Sequence, residues 1–236
     1  FVMEDLGEWD DSSSILPQMD AEALILAKEQ CVISGLAEAR QILEYFGLEW
    51  VQFAAEGDEV EAGSKVMMIK GQAKSILQAE RLVLNFLSRM SGISTLTRDC
   101  VRRAKGIRVA CTRKTTPGFR IFEKRAVMVG GGDPHRFNLS GALMIKDNHL
   151  KLMGLENVVR AAKTKSSFTK KIEVEVESLE DMLKAAELGA DIIMFDNMKS
   201  SQSKEGIELL KSKKLRAGLI LEASGGITPE KIADYA

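Results

Sequence analysis

Apolar and polar positions repeat with two different periods along this chain, and the arrangement changes near residue 105. Before it, Ala23-Leu24-Ile25-Leu26-Ala27, Glu49-Trp50-Val51-Gln52-Phe53-Ala54 and Val66-Met67-Met68-Ile69 read as strands. Leu36, Ala39, Ile42, Leu43 and Phe46 recur at helical spacing, which predicts a helix over 36–46. Gly57-Asp58 and Gly63-Ser64 mark turns ahead of the third strand. A long helical segment follows over 74–104. A break or bend is expected in it near Ser91-Gly92, because glycine lowers helix preference by about 1 kcal/mol. This first part is of α+β type.

From residue 106 onward, short apolar or β-branched runs at 108–112, 142–145, 172–176, 191–195 and 219–222 alternate with helical stripes. Leu155, Val158, Val159 and Ala162 form one stripe, and Leu179, Met182, Leu183 and Ala186 another. Ser178 with Asp181 resembles a capping box, Gly189 fits a helix stop, and Thr228-Pro229-Glu230 fits a helix start. Repeated strand–helix units predict a parallel sheet, as an α/β barrel or a doubly wound layer. The polar residues favour the barrel. Arg113 and Lys114 follow the first run, Lys146 ends the second, Glu175 lies near the end of the third, Asp196 follows the fourth and Ser224 the last. Barrels of this kind carry their chemistry at the C-terminal ends of several strands. The expected organisation is an N-terminal α+β domain with its connecting helix over 1–105, then an α/β barrel domain over 106–236 that carries the site.

Composition adds exclusions. The 236 residues, 45% of them hydrophobic, are enough for a sizeable core. Lys+Arg 33 against Asp+Glu 34 leaves a formal charge of -1, unlike the basic excess of general nucleic-acid binders. Cys31, Cys100 and Cys111 are odd in number and lack C-x-x-C spacing, so free thiols in a reducing compartment are expected. No apolar run is long enough to span a bilayer, and the opening FVMEDLGEWDD is too acidic for a signal peptide. A cytoplasmic protein is the expectation.

The candidate chemistry is concentrated. Thr112-Arg113-Lys114-Thr115-Thr116-Pro117-Gly118, Gly130-Gly131-Gly132-Asp133-Pro134-His135-Arg136 and Lys146-Asp147-Asn148-His149 gather cations, hydroxyls and imidazole, as a polyanionic ligand would require. Each has an ordinary reading too: a solvated Arg-Lys pair, a flexible glycine linker, a structural His149. The triple glycine before His135 suggests close backbone approach to a ligand, and the Thr115 and Thr116 hydroxyls are candidate donors to phosphate. In Ile172-Glu173-Val174-Glu175-Val176-Glu177 the glutamates share one strand face; in a barrel they need cationic or metal partners there. Asp196-Asn197 is a candidate ligand for Mg²⁺ or sugar hydroxyls, and Ser224-Gly225-Gly226 before a helix start is a candidate phosphate loop.

Taken in order, TRKTTPG, GGG-x-x-HR, KDNH, the IEVEVE strand, the FDN turn and EASGG resemble quinolinate phosphoribosyltransferase. The resemblance runs from Glu4-Asp5-Leu6-Gly7 and Asp10, through Arg81-x-x-x-Asn85 and Ser91-Gly92-Ile93, to Gly226. It implies an N-terminal α/β sandwich domain, an incomplete α/β barrel whose last strand and C-terminal helices lie beyond Ala236, and a homodimer with shared active sites. Assembly beyond the dimer stays open. Carried over by resemblance, Arg113, His135 and Arg136 hold the quinolinate carboxylates, with Arg81 entering from the partner subunit. Lys114 and Lys146 lie between quinolinate and phosphoribosyl pyrophosphate, Glu175 and Asp196 near the ribose and Mg²⁺, and Ser224, Gly225 and Gly226 at a phosphate. Two departures stand out: Asp133-Pro134 where a basic or amide residue is more usual, and Cys111 where an acid commonly precedes Thr-Arg-Lys.

The resemblance implies decarboxylating phosphoribosyl transfer to quinolinate, giving nicotinate mononucleotide, CO₂ and pyrophosphate. The alternatives are a related transferase acting on nicotinate or another acid, and a non-catalytic phosphosugar-binding protein. A non-catalytic module would need neither both lysines nor both acids. A Schiff-base lyase using Lys146 is disfavoured by the surrounding arginines.

Overall fold

The computed structural model describes residues 1–8 and 10–236. In its first part, short helices α1 (Val2–Leu6) and α2 (Asp11–Ser14) precede strands β1 (Asp20–Leu26) and β2 (Cys31–Val32), helix α3 (Leu36–Tyr45) and strands β3 (Glu49–Gln52), β4 (Glu59–Val60) and β5 (Lys65–Gln72). Helices α4 (Ala73–Arg103) and α5 (Arg120–Val129) follow. Two compact units form, one of 1–102 with 106–135, the other of 103–105 with 136–236.

In the first unit β5 is the central strand of an antiparallel sheet ordered β1-β5-β3, while β2 and β4 make a separate pair. Val66, Met67 and Ile69 of β5 are buried against Leu36, Ala39 and Leu43 of α3 and against α4. The apolar stripe of α4 runs through Ile76, Ala79, Val83, Phe86, Leu87 and Met90 into Ser91, Ser94 and Thr97 without losing its spacing. Here α4 is continuous, with no break at Ser91-Gly92. Ser91 Oγ accepts from Ser34 N (3.0 Å) and donates to Ser34 O, and Ser94 Oγ donates to Ala126 O. These buried bonds on both sides of Gly92 outweigh a propensity penalty of about 1 kcal/mol.

The segment 106–135 belongs to this first unit, whereas the change of sequence pattern puts a boundary near 105. Helix α5 is why. Arg98 of α4 donates to the carbonyls of Val129 and Gly130, the groups a helix end leaves unpaired. A Cβ on Gly130 would fall 2.6 Å from Ser94 O and from Thr97 Cβ, and one on Gly132 2.8 Å from Thr97 Cγ2. At Gly130 the close approach that only glycine permits is to α4, and at Gly132 it is to α4 and to Val127 of α5. The strand expected at 108–112 is also absent. One parallel bridge, Ala110 to Asp133, is all that forms there, because 133 offers a single residue of pairing before His135 turns into the left-handed region (φ 50°).

The second unit alternates β6 (Leu143–Ile145), α6 (Asp147–Met153), α7 (Leu155–Lys165), β7 (Ile172–Val176), α8 (Leu179–Glu187), β8 (Ile192–Asp196), α9 (Ser200–Ser212) and β9 (Ile220–Ser224). The four strands are parallel in the order β6-β7-β8-β9, an incomplete α/β barrel. Register divides the sheet into unlike faces. Ile145, Val174, Ile193 and Leu221 lie on one side with Val176, Phe195 and Ala223; this side packs under Leu155, Val158 and Val159 of α7, Met182 and Ala185 of α8, and Leu210 of α9. The other side carries Met144, Glu173, Glu175, Met194, Asp196, Glu222 and Ser224. Helix α8 is capped as its sequence indicates: Ser178 Oγ accepts from Asp181 N (3.1 Å), and Gly189 follows the helix at φ 76°. The helix expected from Thr228 reduces to one 3-10 turn over Ile232–Tyr235, so the glycines of Ser224-Gly225-Gly226 do not open a helix. Among the described residues, no helix is long and apolar enough to cross a membrane.

Candidate active site

In the second unit, strand alternation places the chemistry on the face the helices leave uncovered. Lys146 follows β6 one residue past Ile145 and so shares the side of Met144. Its Nζ donates to Glu175 Oε2 on the neighbouring strand at 2.6 Å. The lysine side chain is 45% exposed and the glutamate 13%, so the pair sits at an edge where the cation still reaches solvent. His149 accepts the Lys146 backbone N–H at Nδ1 (3.0 Å), which fixes the chain where β6 becomes α6. That resolves His149 as a capping residue. Arg136, in the same unit, donates from Nη2 to Met144 Sδ at 3.0 Å, bringing its guanidinium to this side of β6.

The ends of β8 and β9 are locked together. Asp196 and Ser224 are register partners, and Asn197 N donates to Ser224 O at 2.9 Å. Asn197 takes φ 53°, a conformation asparagine tolerates, and its Nδ2 donates to Asp196 Oδ2 at 2.7 Å. Gly225 (φ 88°) passes so close that a Cβ would lie 2.6 Å from Asn197 Cγ and 2.7 Å from its N. Gly226 is also left-handed (φ 62°) but faces open space. The turn at Asp196-Asn197 and the Ser224-Gly225-Gly226 loop are therefore one construction.

In the first unit, Arg113 and Lys114 lie in the loop before α5 rather than at a strand end. Thr112 Oγ1 accepts from Lys114 N (3.0 Å), and Thr116-Pro117-Gly118-Phe119 closes a turn with Gly118 at φ 79° and Phe119 N donating to Thr116 O. The threonine hydroxyls serve the loop: Thr115 Oγ1 accepts from Arg120 and Thr116 Oγ1 from Arg89. Glu123 accepts from Arg89 and from Thr116 N. Burial pushes the Glu123 carboxyl upward, but these bonds outweigh it and leave it below the ordinary glutamate value. Among the described residues, Arg113 Nε is buried without a hydrogen-bond partner, a donor in a place where an anion would satisfy it.

His135 is held by its neighbour. Asp133 Oδ1 accepts its backbone N–H at 2.7 Å, and Asp133 Oδ2 takes Arg108 at 3.2 Å. The carboxylate that departs from the expected basic or amide residue is thus engaged in shaping the loop. Arg81 is an exposed position on α4. Asn197, named from sequence only as a candidate ligand beside Asp196, proves to shape the turn that holds the Ser224 loop. Lys124, inside an ordinary helical pattern, carried no signal in the sequence.

Residues 10–91 match the quinolinate phosphoribosyl transferase N-terminal domain, and residues 93–236 match the C-terminal domain of the same family. A probable nicotinate-nucleotide pyrophosphorylase [carboxylating] of Archaeoglobus fulgidus is 47% identical over 225 residues, covering 94% of this chain and 86% of the relative. The human nicotinate-nucleotide pyrophosphorylase [carboxylating] is 37% identical over 220 residues, covering 91% and 73%. Among solved structures, NadC from Streptococcus pyogenes superposes with a TM-score of 0.91 at 37% identity, covering 99% of this chain and 84% of that one. The nicotinate-nucleotide pyrophosphorylase from Ehrlichia chaffeensis gives 0.92 at 28% identity, covering 100% and 86%. With both domains matched in order and the same two-part fold in solved relatives, this chain belongs to the quinolinate phosphoribosyltransferase family.

Proposed function

We propose that the chain transfers phosphoribosyl from phosphoribosyl pyrophosphate to quinolinate, with loss of one carboxylate, through the residues placed above. The activity follows from the family; the division of labour is our reading. The observation that carries it is the uncovered face of the parallel sheet, where Lys146 is paired with Glu175 and Asp196 is locked to the Ser224 loop.

Departure of pyrophosphate leaves positive charge on the sugar C1 and ring oxygen. Glu175 and Asp196 are the carboxylates that stabilise that charge, and Lys114 and Lys146 the ammonium groups that neutralise the leaving oxygens. Glu175 and Asp196, oxygen donors on the adjacent strands β7 and β8, are the residues we assign to Mg²⁺ together with substrate phosphates. When bound, Mg²⁺ supplies further charge neutralisation on the pyrophosphate. Ser224, Gly225 and Gly226 bind a phosphate through the hydroxyl and backbone amides of a loop whose two glycines are both left-handed.

The pyridine nitrogen of quinolinate captures C1. Its positive charge then stabilises the carbanion left when the adjacent carboxylate departs as CO₂, and that carbon takes up a proton. Arg113, His135 and Arg136 bind the two carboxylates, joined by Arg81 of the partner subunit in a homodimer. Cationic ligands select a dicarboxylate because a monocarboxylate leaves one of them unpaired, which costs several kcal/mol where that cation is buried. Cys31, Cys100 and Cys111 are outside any disulfide, which suits a reducing cytoplasm.

The test is incubation with quinolinate, phosphoribosyl pyrophosphate and Mg²⁺, following CO₂ and nicotinate mononucleotide, with nicotinate in parallel. Product from quinolinate alone is the expected outcome; equal use of nicotinate would overturn the dicarboxylate reading. Arg136→Ala should raise the quinolinate KM or abolish turnover.

A further inference from the structure

Lys124 is among the most deeply buried side chains of the first unit, 1% exposed, yet it carries an ammonium. Its Nζ donates to Pro134 O and lies 3.5 Å from Cys111 Sγ, and the thiol itself donates to Pro134 O at 3.4 Å. No carboxylate is among its partners in the described residues. Burying an ammonium against a carbonyl and a thiol is unfavourable compared with filling the same space with methionine or leucine. Helix α5 does not need the charge for docking, since Ala126, Val127 and the Arg98 bonds attach it.

What the ammonium adds is a bond to each of two loops. Pro134 O immediately precedes His135. Cys111 lies two residues before Arg113. The backbones meet only at the Ala110–Asp133 bridge, through Asp133 N to Val109 O (2.8 Å) and Cys111 N to Asp133 O (3.0 Å). Next to that bridge, the Lys124 contacts continue the connection by side chain. His135 is in a left-handed conformation uncommon for a non-glycine residue, and the peptide leading into it is the one Lys124 grips.

We propose that Lys124 is a positioning residue: its ammonium clamps Pro134 and Cys111 so that Arg113 and His135 are presented in fixed register to the quinolinate carboxylates. The inference rests on those two residues being quinolinate ligands. Cys111 is part of the clamp, its thiol accepting from Lys124 while donating to Pro134 O.

The experiment is steady-state kinetics of the full chain as Lys124→Met, with Arg113→Ala in parallel. Lys124→Met should raise the quinolinate KM about ten-fold or more while the phosphoribosyl pyrophosphate KM stays within about two-fold, since misplacing a binding group by an ångström has effects of this order. A lowered melting temperature with unchanged quinolinate KM would make Lys124 merely structural and overturn the proposal. If Arg113→Ala leaves the quinolinate KM unchanged, the ligand assignment fails and the clamp with it; if Arg113→Ala raises it and Lys124→Met does not, only the clamp fails. Should Lys124→Met not fold, Cys111→Ala decides, because it keeps the lysine and removes one anchor. A rise of about three-fold in the quinolinate KM supports the clamp, and a wild-type value overturns it.

Discussion

The Nζ of Lys146 lies 2.6 Å from Oε2 of Glu175, joining the end of β6 to β7 across the uncovered face of the sheet. The pair holds a flexible cation in one place while leaving it partly open to solvent, the condition for receiving an anionic leaving group. Lys146→Met should lower kcat on the order of 10²–10³-fold, as loss of one transition-state charge contact does. The melting temperature should fall as well, because the largely buried Glu175 carboxylate loses its cation, so kcat is compared at a temperature where both proteins are folded. A variant with near-wild-type kcat would remove Lys146 from the chemistry.

Gly225 and Gly226 separate two effects that sequence alone merges. Both are left-handed, but only Gly225 is crowded by Asn197. Gly225→Ala adds a collision to backbone strain, so a loss of about 1–3 kcal/mol and a raised phosphoribosyl pyrophosphate KM are expected. Gly226→Ala meets only the conformational penalty, about 1–2 kcal/mol. Urea unfolding of the two variants tests the ranking, and equal effects on stability and KM would contradict it.

Glu123 gives the loop carrying Arg113 and Lys114 an acid sensitivity. Its folded pKa lies below the ordinary value despite burial, because Arg89 and Thr116 bind the carboxylate. A depressed folded value means the stabilisation is fully present above the unfolded glutamate pKa of about 4.3 and is lost as pH falls through the folded one. Glu123→Gln should therefore flatten the acid limb of a melting-temperature profile and lower stability near neutral pH. An unaltered acid limb would show that other carboxylates dominate it.

Arg81 is exposed on α4. If it acts in the site of the partner subunit, Arg81→Ala and Lys146→Ala should each be inactive alone yet complement when mixed and allowed to exchange. Random dimers would recover about a quarter of wild-type activity, since half are heterodimers with one intact site of two. Absence of recovery after demonstrated exchange would place Arg81 in its own subunit's site or outside any.

Much of this was legible along the chain. Alternation in Ile172-Glu173-Val174-Glu175-Val176 separates a helix-covered side from a chemical one, and the same period carries Asp196 and Ser224 to that side. The stripe Leu155, Val158, Val159 and Ala162 defines the covering face of α7. Where local signals misled, distant partners were responsible. Glycine at 92 argued for a broken helix, but α4 runs unbroken past it, with Ser91 and Ser94 bonded to Ser34 and Ala126. The triple glycine argued for a ligand; the structure gives Gly130 and Gly132 a packing reason that the sequence did not show, close approach to α4 and, at Gly132, to Val127 of α5.

Sequence by itself determined the alternation of strands and helices from β6 to β9, the face on which each of those strand residues lies, and the set of charged groups available. Periodicity and side-chain chemistry are properties of short segments, so they need no knowledge of the rest of the chain. Only the tertiary structure decided that Lys146 pairs with Glu175, that His149 is a cap, that Asn197 fixes the Ser224-Gly225-Gly226 loop, and that Lys124 is buried between two loops. Those outcomes depend on which groups separated by many residues come within hydrogen-bond reach, and packing settles that after the segments have formed.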